Sequence, residues 1–191
     1  SATPGPATLA IAGTSMHSGR SMGLALAAGI TTGSLTWSVA AALGLSAIML
    51  ATGWVLEAVR YMGATYLLYL AYKSARSALT PGELKARDVN TRSLGGAFAK
   101  GLAIHLTNPK AILFFGSLYA IGIPHGATYA DLALVIGAVG LQSFVIFHGY
   151  ALLFSSKPMV SGYARLRRWF EAVFAMAFGA AGLKILTARI D

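Results

Sequence analysis

The spacing of charges constrains this chain more than any other feature. Between Arg20 and Glu57 lie 36 residues without Asp, Glu, Lys or Arg. Similar intervals run for 20 residues between Lys110 and Asp131, and for 25 between Asp131 and Lys157. Two shorter ones, of 12 residues each, separate Arg60 from Lys73 and Glu171 from Lys184. A helix crosses the hydrocarbon core of a bilayer with about 20 predominantly apolar residues. Charged residues make up 11% of the chain, against roughly 25% in soluble domains. The first partner implied is therefore a lipid bilayer. The longest interval exceeds one straight span and predicts a loop near Gly53. The two shortest reach span length if Arg60, Lys73, Arg76 and Lys184 carry their charged ends to the interfaces. The pattern predicts helices over 1–15, 22–52, 57–79, 94–122, 129–154 and 166–188, an all-α membrane protein of six transmembrane segments. The first is apolar from its opening residues, "ATPGPATLAIAG", and is expected to be truncated here, beginning upstream of Ser1.

The remaining composition narrows the function. There is no cysteine, which excludes disulfides and thiolate metal sites. No cofactor or metal is expected. The formal net charge of +9 suggests nucleic acid in a soluble domain. Here the basic residues lie between apolar blocks, so they read as topology signals, and no nucleic-acid partner is expected. The long polar stretch 80–93, "TPGELKARDVNTRS", reads as a loop, with Pro81-Gly82 as its turn. Placing the 16–21 loop, the 73–100 region and the 155–168 loop on one face gathers 11 of the 15 basic residues there. That face is expected to be cytoplasmic.

The two halves of the chain resemble each other in order. "PGPATLAIAG" places Gly13 seven residues after Pro6, and "TNPKAILFFG" places Gly116 seven after Pro109. "LALAAG" at 24–29 matches "LALVIG" at 132–137, and "GATYLLYLAYK" at 63–73 matches "GAAGLKILTAR" at 179–189. The expected organisation is one transporter domain over 1–191: a first three-helix repeat at 1–79, the loop 80–93, and a second repeat at 94–191. An odd number of spans per repeat inverts the second against the first, as in many secondary transporters. In those proteins, interrupted helices at matching positions mark the substrate site. Here they are "TPGP" (Thr3, Pro4, Gly5, Pro6) and "TNPK" (with Asn108, Pro109 and Lys110). Proline leaves a helix carbonyl without its partner. Such groups persist at membrane depth only where protein or a water-filled cavity satisfies them. Half-helix N-termini favour a carboxylate and free carbonyls favour an ammonium, and an amino acid carries both. The alternative is an ordinary span in which Asn108 caps the helix and Pro109 is its first residue.

"TPGPATLAIAG…SGRSMGLALAAGITTG", "GATYLLYLAYKSAR" and "GLAIHLTNPKAILFFGS" together resemble the LysE/RhtB family of amino-acid exporters. The resemblance covers most of the chain. It implies an exporter of amino acids or close derivatives in the bacterial inner membrane, driven by the proton or ion gradient, and often a homodimer. Two positions depart from that family. Ala7 stands where an acid or its amide is common after TPGP, and Ser34 where another acid is common after the glycine of the second span. A neutral substrate is expected rather than a cationic one.

His105 and His148 lie within apolar stretches and are candidates for proton coupling; each equally suits a bond to neighbouring backbone. Gln142 and Ser143 suit a cavity lining or bonds between helices. Lys110 suits a substrate carboxylate, a helix end or an interface. Tyr66, Tyr69 and Tyr72 form a stripe that suits packing better than a binding cage, and Gly29 and Gly33 form a GxxxG that marks a close helix contact. Ser15 and His17 in "GTSMHSG" lack the third member of a hydrolase triad, and HExxH is absent. The leading expectation is a transporter, not an enzyme. The other reading is a non-transporting polytopic protein that serves as an assembly or signalling partner.

Overall fold

The computed structural model describes residues 5–49, 53–80, 91–123 and 127–187. They form seven helices: α1 (Pro6–His17), α2 (Arg20–Met49), α3 (Gly53–Leu79), α4 (Leu94–Leu106), α5 (Pro109–Gly122), α6 (Tyr129–Phe154) and α7 (Lys157–Thr187). No strand occurs among the described residues. The stretches Arg20–Gly44, Tyr129–Phe154 and Arg165–Thr187 are long and apolar enough to cross a membrane. By contrast α1, α4 and α5 have 12, 13 and 14 residues. At 1.5 Å per residue each is about 20 Å long, short of the ~30 Å hydrocarbon core.

Local chemistry sets the helix ends. Gly5 is extended, and Pro6 opens α1 where a missing N–H costs nothing. The Gly5 N–H donates to Thr8 Oγ1 at 2.8 Å, so the third residue of the helix closes over its own start. Gly19, at φ 88°, makes the turn into α2, a left-handed conformation that glycine adopts without strain. The Ser93 hydroxyl accepts from the Gly96 N–H at the start of α4. Thr128 and Asp131 cap α6 reciprocally: the Thr128 N–H donates to Asp131 Oδ2 at 2.8 Å, and the Asp131 N–H to Thr128 Oγ1 at 3.3 Å.

Several boundaries differ from the pattern-based expectation. The loop expected at 16–21 narrows to Ser18 and Gly19, and α3 starts at Gly53 rather than 57. The loop expected over 155–168 shrinks to Ser155 and Ser156, because α7 begins at Lys157 and carries Arg165, Arg167 and Arg168 on the helix itself. Charge marks where hydrocarbon ends; it does not stop a helix. The loop expected near Gly53 falls largely on residues 50–52, and most of the 80–93 loop on 81–90; both lie outside the described residues.

The chain forms two compact units, each drawing on both halves of the sequence. The first comprises Ser1–Thr36, Gly82–Asn108 and Gly137–Arg167. Its core joins Ala7, Ala10 and Ile11 of α1, Leu26, Ala27 and Ile30 of α2, Ala97 of α4, and Phe147 and Ala151 of α6. Here α2 and α4 meet backbone to backbone. A methyl group on Gly29 would strike the Phe98 carbonyl oxygen, and one on Gly101 would strike that of Leu26. The GxxxG of α2 is thus a contact within the chain. A second cluster joins Ala12 to Phe154 and Tyr163.

The second unit comprises Trp37–Pro81, Pro109–Ile136 and Arg168–Asp191. Its α3 packs along α5, and Ala64 and Leu67 of α3 join Ile185 of α7 in an apolar cluster. Gly182 lies against Leu68 and the Ala64 carbonyl. Large apolar side chains elsewhere face outward, among them Leu134, Leu141 and Val145 on α6 and Trp169, Val173 and Met176 on α7. Only 17% of the apolar window of α6, and of α7, is buried, against 44% for α2. The outward faces require hydrocarbon or another apolar surface.

Candidate functional site

The TNPK segment separates two helices. Pro109 has no N–H to offer the His105 carbonyl four residues back. The Asn108 N–H serves that carbonyl instead, at 3.2 Å, while the Thr107 N–H reaches Ala103 O at 3.0 Å. α4 therefore ends at Leu106 and α5 starts at Pro109. Asn108, between them, is only 7% exposed. An amide buried at such a junction has hydrogen-bonding capacity that must be satisfied inside.

In the first unit the end of α4 is fixed from α2. His105 Nε2 lies 3.0 Å from Ser34 Oγ, and both residues are buried. The imidazole meets Phe147 edge-on, with centroids 5.8 Å apart. Gly33 leaves room for it: a Cβ there would lie 2.9 Å from His105 Cβ. Sequence reasoning named Ser34 and His105 separately, and the fold brings them together. The same unit buries three hydroxyls without a hydrogen-bond partner among the described residues, those of Thr14, Ser15 and Ser143.

Other predicted residues are placed differently. Gln142 is exposed on α6 while Ser143 beside it is buried, since one residue turns a helix by about 100°. His148 Nδ1 lies 3.0 Å from the Phe144 carbonyl one turn back, and its ring lies over that of Phe144 with centroids 4.1 Å apart. Of TPGP, Gly5 and Pro6 form the start of α1, and Thr3 and Pro4 lie outside the described residues.

The second unit carries Lys110, in the first turn of α5 and partly buried. The Tyr66 hydroxyl donates to the Lys110 carbonyl at 3.2 Å, which ties the Tyr66 end of the tyrosine stripe to this turn. The charges close enough to act on the Lys110 side chain include those of Lys73 and Glu171. Glu171 is 3% exposed, and the Ser77 hydroxyl donates to its Oε1 at 3.0 Å. Ser38 on α2 and Tyr119 on α5 share a buried hydrogen bond of 2.5 Å. Sequence reasoning missed Glu171, Ser77, Ser38 and Tyr119. The available signal for Glu171 was an acid at the start of a 12-residue uncharged interval. No group of three or more His, Cys, Asp or Glu side chains able to hold a metal lies among the described residues.

The first unit thus holds buried polar side chains beside the end of α4, and the second holds a cation in the first turn of α5. The chain is similar along nearly its whole length to the threonine efflux proteins of Salmonella typhi (28% identical over 189 residues) and Escherichia coli strain K12 (29% over 193 residues); each alignment covers 98% of this chain and 92% of the relative. It is also similar to an uncharacterized membrane protein of Pseudomonas aeruginosa, 30% identical over 201 residues, covering 98% of this chain and 90% of that one. No solved structure matches the chain. The family model of the LysE type translocator matches residues 1–189, and the chain therefore belongs to that family of multi-pass helical membrane proteins.

Proposed function

We propose that this protein is a secondary-active exporter of a small neutral amino acid across the bacterial inner membrane. Six spans form two inverted three-helix repeats, with the 80–93 loop on the cytoplasmic side. The cycle is alternating access, energised by the proton or ion gradient. The observation that carries this reading is the interruption at Thr107 and Asn108, where a buried amide separates α4 from α5. Lys110 with the first N–H groups of α5 suits the substrate carboxylate. TPGP is the matching sequence in the first repeat. Similarity to threonine efflux proteins supports the amino-acid class. Ala7 and Ser34 leave both departures from the family pattern uncharged, which favours a neutral side chain on the substrate.

The test is efflux from cells preloaded with dipeptides of each amino acid. Cells carrying the full-length protein are expected to lose one neutral amino acid faster than empty cells. In an Asn108→Ala, Pro109→Ala variant the rate should fall about tenfold, equivalent to ~1.4 kcal/mol. If no amino acid leaves faster while the protein is present in the membrane, export is refuted and the non-transporting reading replaces it.

A further inference from the structure

Among the described residues whose side-chain burial is defined, Glu171 is the one acidic residue withdrawn from solvent; Asp131 lies exposed in the α6 cap. An ionised carboxylate in an apolar helix is costly unless paired and hydrogen-bonded. Such residues are retained in membrane spans chiefly along ion, proton and substrate paths. Glu171 has both kinds of support. Ser77 of α3 donates to Oε1. Lys110 of α5 supplies positive charge nearby, and Lys73 of α3 is in turn close to Lys110; Arg167 and Arg168 lie one turn earlier on α7 itself. Tyr66 is bonded to the Lys110 carbonyl, with the Tyr69 ring centroid 6.2 Å from its own. Lys110 and Glu171 thus set one cation and one carboxylate in the same unit, with Lys110 directly after Pro109. An amino acid carries the complementary pair, a carboxylate for Lys110 and an ammonium for Glu171.

We propose that Glu171 is the proton-exchanging group of the export cycle, its carboxylate holding either a proton or the substrate ammonium but not both. This rests on the exporter reading. As the substrate ammonium arrives, the carboxylic acid releases its proton to water on that side and the carboxylate pairs with the ammonium. When the substrate leaves on the opposite side, a proton from that side takes its place. Two ligands competing for one carboxylate give exchange of substrate for proton, with no further cofactor. His148 Nδ1 lies beside a backbone carbonyl and His105 Nε2 beside Ser34.

The experiment uses the purified full-length protein in proteoliposomes with radiolabelled neutral amino acids, threonine first. In the wild type, KM should rise as pH falls, approaching tenfold per pH unit once the carboxyl is mostly protonated. Adding substrate in weak buffer with an indicator dye should release protons. Glu171→Gln, which keeps an oxygen for Ser77, should abolish proton release and leave any residual transport with a KM insensitive to pH. Glu171→Asp should restore both signals. The proposal is overturned if the wild type transports without releasing protons, or if Glu171→Gln keeps the wild-type pH dependence. It is also overturned if the Asp variant, correctly folded, behaves like the Gln variant. If neither variant folds, wild-type transport without proton release still overturns the proposal. A wild type that moves none of the amino acids instead removes the exporter reading itself.

Discussion

Thr31, Thr32 and Thr36 on α2 each turn their hydroxyl back to the carbonyl four residues earlier, at 2.9–3.0 Å. That is the usual way for a hydroxyl to be satisfied in an apolar helix. Ser34 and Ser38, one turn apart on the same helix, instead reach His105 of α4 and Tyr119 of α5. These two bonds join α2 to the helices on either side of the TNPK junction. A buried neutral hydrogen bond contributes about 1 kcal/mol. Tyr119→Phe and Ser38→Ala should each lower thermal stability by about that amount. The double variant should lose less than the sum, because the two act through one bond. Melting of the purified protein in a single detergent measures all three. Equal and additive losses would show that the two hydroxyls contribute independently. None of this pairing was legible in the sequence: the partners lie 71 and 81 residues apart, and serines occur throughout α2. Glu171 escaped for a related reason, since an acid at the edge of an apolar interval looks the same whether it faces headgroups or the interior.

At the scale of whole helices, much was legible. α6 spans Tyr129–Phe154, the interval set by its flanking charges and its Thr-x-x-Asp cap. The junction within 94–122 follows from Asn108-Pro109, because proline removes the bond that would join the turns. What the pattern left open was rotation about the axis. α6 is apolar on every side, so nothing in its sequence chose between Gln142 and Ser143 as the inward residue. The GxxxG of α2 left its partner open in the same way. Structure assigns it to α4, and the assignment carries a sharp contrast among glycines. Gly29→Leu and Gly101→Leu would drive side chains into backbone carbonyls of the facing helix, which cannot swing aside as a side chain can. Each should cost about 3 kcal/mol, seen as loss of folded protein from membrane extracts. Gly44→Ala, on the same α2 with nothing within 4 Å of the added methyl, should be neutral or stabilising by up to ~1 kcal/mol. If all three variants accumulate alike, the close α2–α4 contact is wrong.

For the molecule as a whole, the proposed orientation can be read chemically because the chain contains no cysteine. A single cysteine at Lys85 or Arg87, within the 80–93 loop, should react with a membrane-impermeant maleimide only after the cells are permeabilised. One at Thr128, before α6, should react in intact cells. Labelling of Lys85→Cys from outside would reverse the topology and the direction assigned to transport. The outward faces of α6 and α7 bear on how such measurements are made. With so little of either helix enclosed by the protein itself, hydrocarbon is a structural component on which side chains such as Leu141 and Trp169 rest. The folded state is then defined jointly by the polypeptide and its amphiphile. A melting temperature for this protein has meaning only with the lipid or detergent named beside it. Changing acyl-chain length is a perturbation comparable to a substitution in the core.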